Sequence, residues 1–149
     1  MKADLEPNLL LDEQLCFALY AASRRMTAVY RPLLEALDLT YPQYLVMLVL
    51  WERDGITVRE LGERLQLDSG TLTPLLKRLE QADLLSRRRR ESDEREVEIT
   101  LTKAGRNLHE RAVEVPRCLA KKLCMSADQF IRLRDELKSL AIQLAPTHE

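Results

Sequence analysis

Glycine is scarce in this chain, 4 of 149 residues, and aromatic residues make up only 5%. Both shortages argue against sandwiches, barrels and collagen-like repeats. No apolar run approaches the ~18 residues of a membrane-spanning helix. The opening Met1-Lys2-Ala3-Asp4 leads into no uninterrupted apolar stretch of the secretory type, so a cytoplasmic protein with no membrane partner is expected. Histidine is limited to His109 and His148, which form no ligand cluster with the cysteines. Both read as surface residues, metal regulation is not expected, and no cofactor is implied. The 3 cysteines cannot all pair within one chain, which in a reducing compartment favours free thiols or redox chemistry over a structural framework. The net charge is only -1, so any case for nucleic acid must be local. What the chain does have is 46% hydrophobic and 32% charged residues, enough for one core surrounded by long solvated helices.

The hydrophobic pattern is mainly helical. From about Asp12, a possible N-cap, to Leu37, the residues Leu15, Leu19, Ala22, Met26, Val29 and Leu33 alternate at spacings of four and three. This is the seam of helices packed lengthwise, with a kink or break expected at Pro32. Thr40-Tyr41-Pro42-Gln43 is a capping box opening an all-round apolar helix, Tyr44 to Trp51, of the kind that fills a core. A second box, Thr57 to Glu60, starts a short amphipathic helix. Gln66-Leu67-Asp68 turns, and Ser69 is the expected cap of a helix carrying Leu72, Leu75, Leu76 and Leu79 on one face. Two short helices across a tight turn make a helix-turn-helix. Period two follows, from Leu84 to Arg90 and again at Val97, Ile99 and Leu101, around the turn Glu91-Ser92-Asp93-Glu94. A β-hairpin directly after a helix-turn-helix is a winged helix. A long helix from Thr102 to about Leu123, bent near Pro116, and a last one capped by Ser126 with Phe130, Leu133, Leu137, Leu140 and Leu144 in a second seam complete the chain. The whole reads as one mainly α domain with a small β-hairpin wing. About 10–37 and 102–145 supply dimerisation helices, and about 55–101 form the DNA-binding lobe. Two seams flanking one core suit a homodimer with interleaved terminal helices.

In a winged helix the second helix of the pair enters the major groove and its early residues meet phosphates and base edges. Here these are Ser69, Gly70, Thr71 and Thr73, followed by Lys77 and Arg78 one to two turns later. From Lys77 to Arg90 there are six cations (Lys77, Arg78, Arg87, Arg88, Arg89, Arg90) against Glu80 and Asp83 alone. Among them Arg88 and Arg90 are the wing contacts assigned to DNA. Arg95 at the tip suits a minor groove, with Asp93 expected to hold its guanidinium in a fork.

Beside the first seam runs a second stripe, Cys16, Tyr20, Ser23, Thr27 and Tyr30. Cys16 lies near a helix start, where free N–H groups favour an anion, although Asp12 and Glu13 oppose it. Tyr20 is one turn away, whereas Tyr30 is about 21 Å along a straight helix at 1.5 Å per residue. Two antiparallel copies of the helix would bring Tyr30 of one subunit to Cys16 of the other, a composite site. The spacing by itself fits equally a packed thiol beside tyrosines that fill an interface.

Gln14-Leu15-Cys16-Phe17-Ala18-Leu19-Tyr20, Leu39-Thr40-Tyr41-Pro42-Gln43-Tyr44-Leu45, Leu67 to Arg78 and Ser92-Asp93-Glu94-Arg95 together resemble the organic hydroperoxide resistance regulators, the peroxide-sensing branch of the MarR transcription factors. The resemblance extends over nearly all the chain after about Leu9. It implies a MarR-type winged helix-turn-helix homodimer that represses transcription from a pseudo-palindromic operator in double-stranded DNA. It implies that the thiolate matching Cys16 is oxidised by an organic hydroperoxide inducer to sulfenic acid, with residues matching Tyr20, Tyr30 and Tyr41 around it. A disulfide with a low-molecular-weight thiol or a second protein cysteine then releases the operator. Cys124 and Cys118 are the two possible resolving cysteines, with Cys124 preferred because the loosened helix end before Ser126 can move. Two other readings use the same residues. A MarR-type repressor released by a small aromatic or phenolic ligand would use Cys16 only as pocket lining, and a thiol peroxidase would leave the basic wing without purpose.

Overall fold

The computed structural model describes residues 7–146, so His148 lies outside the described residues. The chain divides into two compact units, one ending at Val115 and the other beginning at Pro116. The first unit opens with a 3-10 turn, Leu11–Glu13, followed by α1 (Leu15–Glu35), α2 (Tyr41–Glu52), β1 (Ile56–Thr57), α3 (Val58–Leu65), α4 (Ser69–Gln81), β2 (Leu85–Arg89), β3 (Val97–Leu101) and α5 (Lys103–Ala112). The helix α6 (Glu114–Leu123) begins at the division, and α7 (Ala127–Gln143) belongs to the second unit.

The capping boxes decide most helix starts. The Thr40, Thr57 and Ser126 side chains each accept from the N–H three residues on, and Gln43, Glu60 and Gln129 return a bond to the cap residue's own N–H. Two expected caps are different. Asp12 falls inside the 3-10 turn, and Gln14 stands at the start of α1 without a capping side-chain bond. Its amide instead reaches back to the carbonyls of Leu10 and Asn8 at 2.9 and 3.0 Å. At α4 the cap is Asp68, one residue before the expected Ser69, because its carboxylate reaches the Thr71 N–H at 2.7 Å.

The prolines also differ in effect. α1 runs through Pro32 and ends at Glu35, so no break occurs at the proline itself. The expected long helix from Thr102 is instead split at Val113 into α5 and α6. Pro116 has no N–H to offer the Ala112 carbonyl, and in a continuous helix its ring would clash with that oxygen.

The core of the first unit surrounds α2, whose Tyr44, Val46, Met47, Val49 and Leu50 are buried, while Leu48 is exposed. Leu61 of α3, Leu72, Leu76 and Leu79 of α4, Leu85 of β2 and Ile99 of β3 pack into the same core. The hairpin gains a strand that the periodicity did not reveal. The two-residue β1 pairs antiparallel with β3, giving the order β1-β3-β2, with Ile56 opposite Ile99. The turn between α3 and α4 depends on Gln66, which adopts a left-handed conformation (φ 56°), and on Gly62, where a Cβ would meet the Leu67 carbonyl oxygen at 2.9 Å.

In the second unit α7 has no buried residue, and Phe130, Leu133, Leu137 and Leu144 of its seam are exposed. In the first unit Leu15, Phe17, Tyr20 and Met26 of α1 are exposed as well.

α5 is held close to the sheet through Gly105. A Cβ there would meet the Leu84 carbonyl oxygen at 2.0 Å, and the Gly105 carbonyl accepts from the Trp51 indole N–H at 2.9 Å. Gly105→Ala is expected to cost about 3 kcal/mol through overpacking. In urea unfolding this appears as a lower midpoint with an unchanged slope; an unaltered midpoint would show that α5 can withdraw freely.

Candidate nucleic-acid interface and thiol sensor

The start of α4 presents a surface with low relief. Ser69, Gly70, Thr71, Thr73, Lys77 and Arg78 are all exposed, while Leu72, Leu76 and Leu79 anchor the opposite side of the helix. A Cβ at Gly70 would touch only Asp68 Oδ1 at 3.4 Å, so this glycine lowers the surface and is not required for packing. The Thr73 hydroxyl donates to the Ser69 carbonyl at 2.7 Å, which spends its hydrogen inside the helix. Asp68 already takes the Thr71 N–H at the helix start, so the attraction for phosphate comes from the exposed Lys77 and Arg78 further along the helix.

The wing divides its arginines into two sets. Arg87 is tied to Glu80 of α4, with its guanidinium at 3.2 Å and its main-chain N–H at 3.1 Å from that carboxylate. Arg90 is held by Glu98 at 2.9 Å and Glu96 at 3.0 Å. Arg88 and Arg95 are exposed and, among the described residues, have no ion-pair partner. Asp93 differs from the expected fork. Its carboxylate accepts from the main-chain N–H of Arg95 at 3.0 Å, shaping the turn and leaving the guanidinium loose.

Cys16 is exposed in the first turn of α1, nearer the helix start than the sequence suggests. Neither acid of the preceding 3-10 turn belongs to that first helical turn. One turn on, Tyr20 is also exposed, and the Arg24 guanidinium sits 5.4 Å from its ring centroid. Tyr30 lies on the same continuous helix and so remains about 21 Å from Cys16 along the axis. It joins a different group, with ring centroids 5.0 Å from Tyr41 and 6.0 Å from Tyr44. Tyr44 is the member that sequence reasoning assigned only to the core. Its spacing of three from Tyr41 on one helix was the available signal. Burial, with smaller contributions from the neighbouring phenols, pushes the Tyr30 pKa up to about 12. Burial and then Tyr41 raise Tyr44 as well. Both phenols therefore stay protonated at neutral pH and can donate hydrogen bonds.

In the second unit Cys118 is half-buried within α6, whereas Cys124 is exposed just past its end. Cys124 adopts a left-handed backbone conformation (φ 49°), and its thiol faces the Lys121 carbonyl at 3.8 Å. His109 is exposed and meets the Trp51 ring edge-on at 5.5 Å. Among the described residues no group of histidine, cysteine and carboxylate side chains is arranged to hold a metal. No described helix is long and apolar enough to cross a membrane.

Residues 28–112 match the family model of the transcriptional regulator SarA/Rot. The chain is 50% identical over 133 residues to the organic hydroperoxide resistance transcriptional regulator of Bacillus subtilis (strain 168), covering 89% of this chain and 90% of that one. Among solved structures it is similar to AbfR of Staphylococcus epidermidis. The reduced, DNA-bound form of AbfR is 38% identical with a TM-score of 0.75, covering 91% of this chain and 94% of the other. The disulfide form has the same 38% identity and a TM-score of 0.66, over 90% and 91%.

The cap of α4 gives a pH test. The Thr71 main-chain N–H donating to Asp68 holds this carboxyl below the usual carboxylate range. A depressed folded pKa adds stability that is present above the unfolded value of about 3.9 and is lost as pH falls through the folded value. Asp68→Asn keeps an oxygen cap and removes the charge. Its melting temperature is expected to lie below that of the parent protein at pH 7 and to converge with it at acid pH. A gap that does not change with pH would contradict the assigned cap.

Proposed function

This chain belongs to the organic hydroperoxide resistance regulators, MarR-type transcriptional regulators, and on that premise we propose that it is a homodimeric repressor released from its operator by oxidation of Cys16. The observation that carries the reading is an exposed thiol in the first turn of α1, on a chain whose recognition helix and wing present unpaired cations. The relatives are transcriptional regulators and not enzymes, so the oxidation is a signal and not turnover.

The exposed apolar residues of α1 and α7 support a dimer, because faces of this kind at helical spacing are covered in stable proteins. Within one subunit Cys16 and the Tyr30–Tyr41 pair are too far apart to meet. Antiparallel α1 helices would bring the partner subunit's Tyr30, a phenol able to donate, to the Cys16 sulfur. The thiolate then attacks one peroxide oxygen. An S–O bond forms, the O–O bond breaks and an alcohol leaves, so sulfur is oxidised as the peroxide is reduced. The sulfenic acid condenses with a second thiol, giving a disulfide and water. Cys124 is the preferred resolving cysteine. It is exposed at a helix end in a backbone conformation that a non-glycine residue rarely adopts, whereas Cys118 is half-buried inside α6. A low-molecular-weight thiol serves the same chemistry, and exchange with cellular thiols resets the protein.

The two recognition helices of a dimer meet successive major grooves when they stand about 34 Å apart. Ser69, Gly70, Thr71, Thr73, Lys77 and Arg78 then face the groove, and Arg88 and Arg95 the flanking backbone and minor groove. A disulfide that favours another spacing by about 4 kcal/mol weakens binding roughly a thousandfold.

Cys16→Ser is expected to bind operator DNA with the parent affinity in a gel shift and to stay bound after cumene hydroperoxide. Non-reducing electrophoresis of the treated protein is expected to lose the cross-linked dimer in Cys124→Ser and keep it in Cys118→Ser. Release of DNA by the Cys16→Ser protein would refute the sensor assignment.

A further inference from the structure

The wing contains a cation whose partners lie entirely within the protein, and its position explains why a neighbouring cation is free. On the outward face of the hairpin, Arg88 and Glu98 are directly opposite each other in the β2–β3 register. Opposite charges facing across an antiparallel pair ordinarily pair with each other. Here they do not. The Glu98 carboxylate turns along the strand to Arg90, meeting its Nε at 2.9 Å, and Glu96 meets the Nη1 of the same guanidinium at 3.0 Å. The main-chain bond from Arg90 N–H to the Glu96 carbonyl, 2.9 Å, keeps the three side chains together at the neck of the turn. A third carboxylate, Glu60 of α3, lies within electrostatic reach of the same arginine. Arg88 remains exposed and, among the described residues, has no ion-pair partner.

We infer that Arg90 is a positioning residue that occupies Glu98 and thereby keeps Arg88 available to a DNA phosphate. Its guanidinium does not itself contact the backbone. The inference rests on the wing reading given above, and it reassigns one of the three wing arginines expected to touch DNA. It has a consequence that a direct contact does not share: loss of Arg90 is repaired by removing the acid that it masks.

The test is operator affinity of the reduced full-length protein, measured by fluorescence anisotropy over a range of salt concentrations. Each phosphate contact contributes about 0.9 to the slope of log K against log salt. Arg88→Ala is expected to lower the slope by about one contact per subunit, about 1.8 for the dimer. Arg90→Ala is expected to lower it equally, because the released Glu98 takes Arg88. Adding Glu98→Gln to Arg90→Ala restores the slope, whereas adding Glu91→Gln, which removes an exposed wing acid of the same charge, does not. Circular dichroism melts of each variant establish that the lobe is folded.

If Arg90→Ala with Glu98→Gln binds as weakly as Arg90→Ala, Arg90 is itself a phosphate contact and the inference fails. It also fails if Glu91→Gln rescues as well as Glu98→Gln, since the effect is then one of net charge. An Arg88→Ala protein with the parent slope would remove the wing reading along with it.

Discussion

Leu72, Leu76 and Leu79 lock the recognition helix against α2, α3 and β2, and the remaining features of this molecule depend on that contact. Fully burying a leucine is worth about 2 kcal/mol, so one face of a 13-residue helix is anchored firmly while its other face stays open to solvent. The same leucines leave the helix start outside, where Asp68 caps it and Gly70 lowers its profile. The hairpin is joined to this body by β1 and by the Glu80–Arg87 pair, so wing and recognition helix form one reading lobe. A lobe fixed in this way is a poor place to receive a signal, because a buried core resists continuous deformation. A signal that changes DNA binding acts more readily on the distance between two such lobes.

The chemistry is distributed to suit that division. An exposed thiol at one end of α1 and a group of phenols at the other end cannot meet within a subunit. On the proposed reading each subunit carries half of a sensing site, and assembly of the site depends on how the helices pair. Protonated phenols at Tyr30 and Tyr44 are uncharged hydrogen-bond donors at neutral pH.

Much of this was legible in the sequence because the relevant signals are local. Capping boxes at Thr40, Thr57 and Ser126, the period-two run Val97–Leu101 and the leucine face of α4 depend on neighbours within four residues. Features set by tertiary contact were not legible. β1 is two residues long and exists because β3 accepts it. Asp68 and not Ser69 is the cap because Asp68 holds the extended backbone of a cap residue while Ser69 is already inside the helix. The division of the wing arginines into paired and free depends on which carboxylate lies alongside, and a run of four arginines carries no sign of it. Tyr44 reads as one more apolar residue until its ring is seen against Tyr30 and Tyr41.

The claim on which the account depends is that the state of one sulfur sets the separation of two reading lobes. It is tested by the distance between spin labels placed, as a noncanonical amino acid, at exposed Gln81 near the end of each recognition helix and read by pulsed dipolar spectroscopy. The account requires one distance in the reduced dimer, a different one after organic hydroperoxide, and the reduced distance in treated Cys16→Ser. Identical distances before and after oxidation in a protein that nonetheless leaves its operator would contradict it.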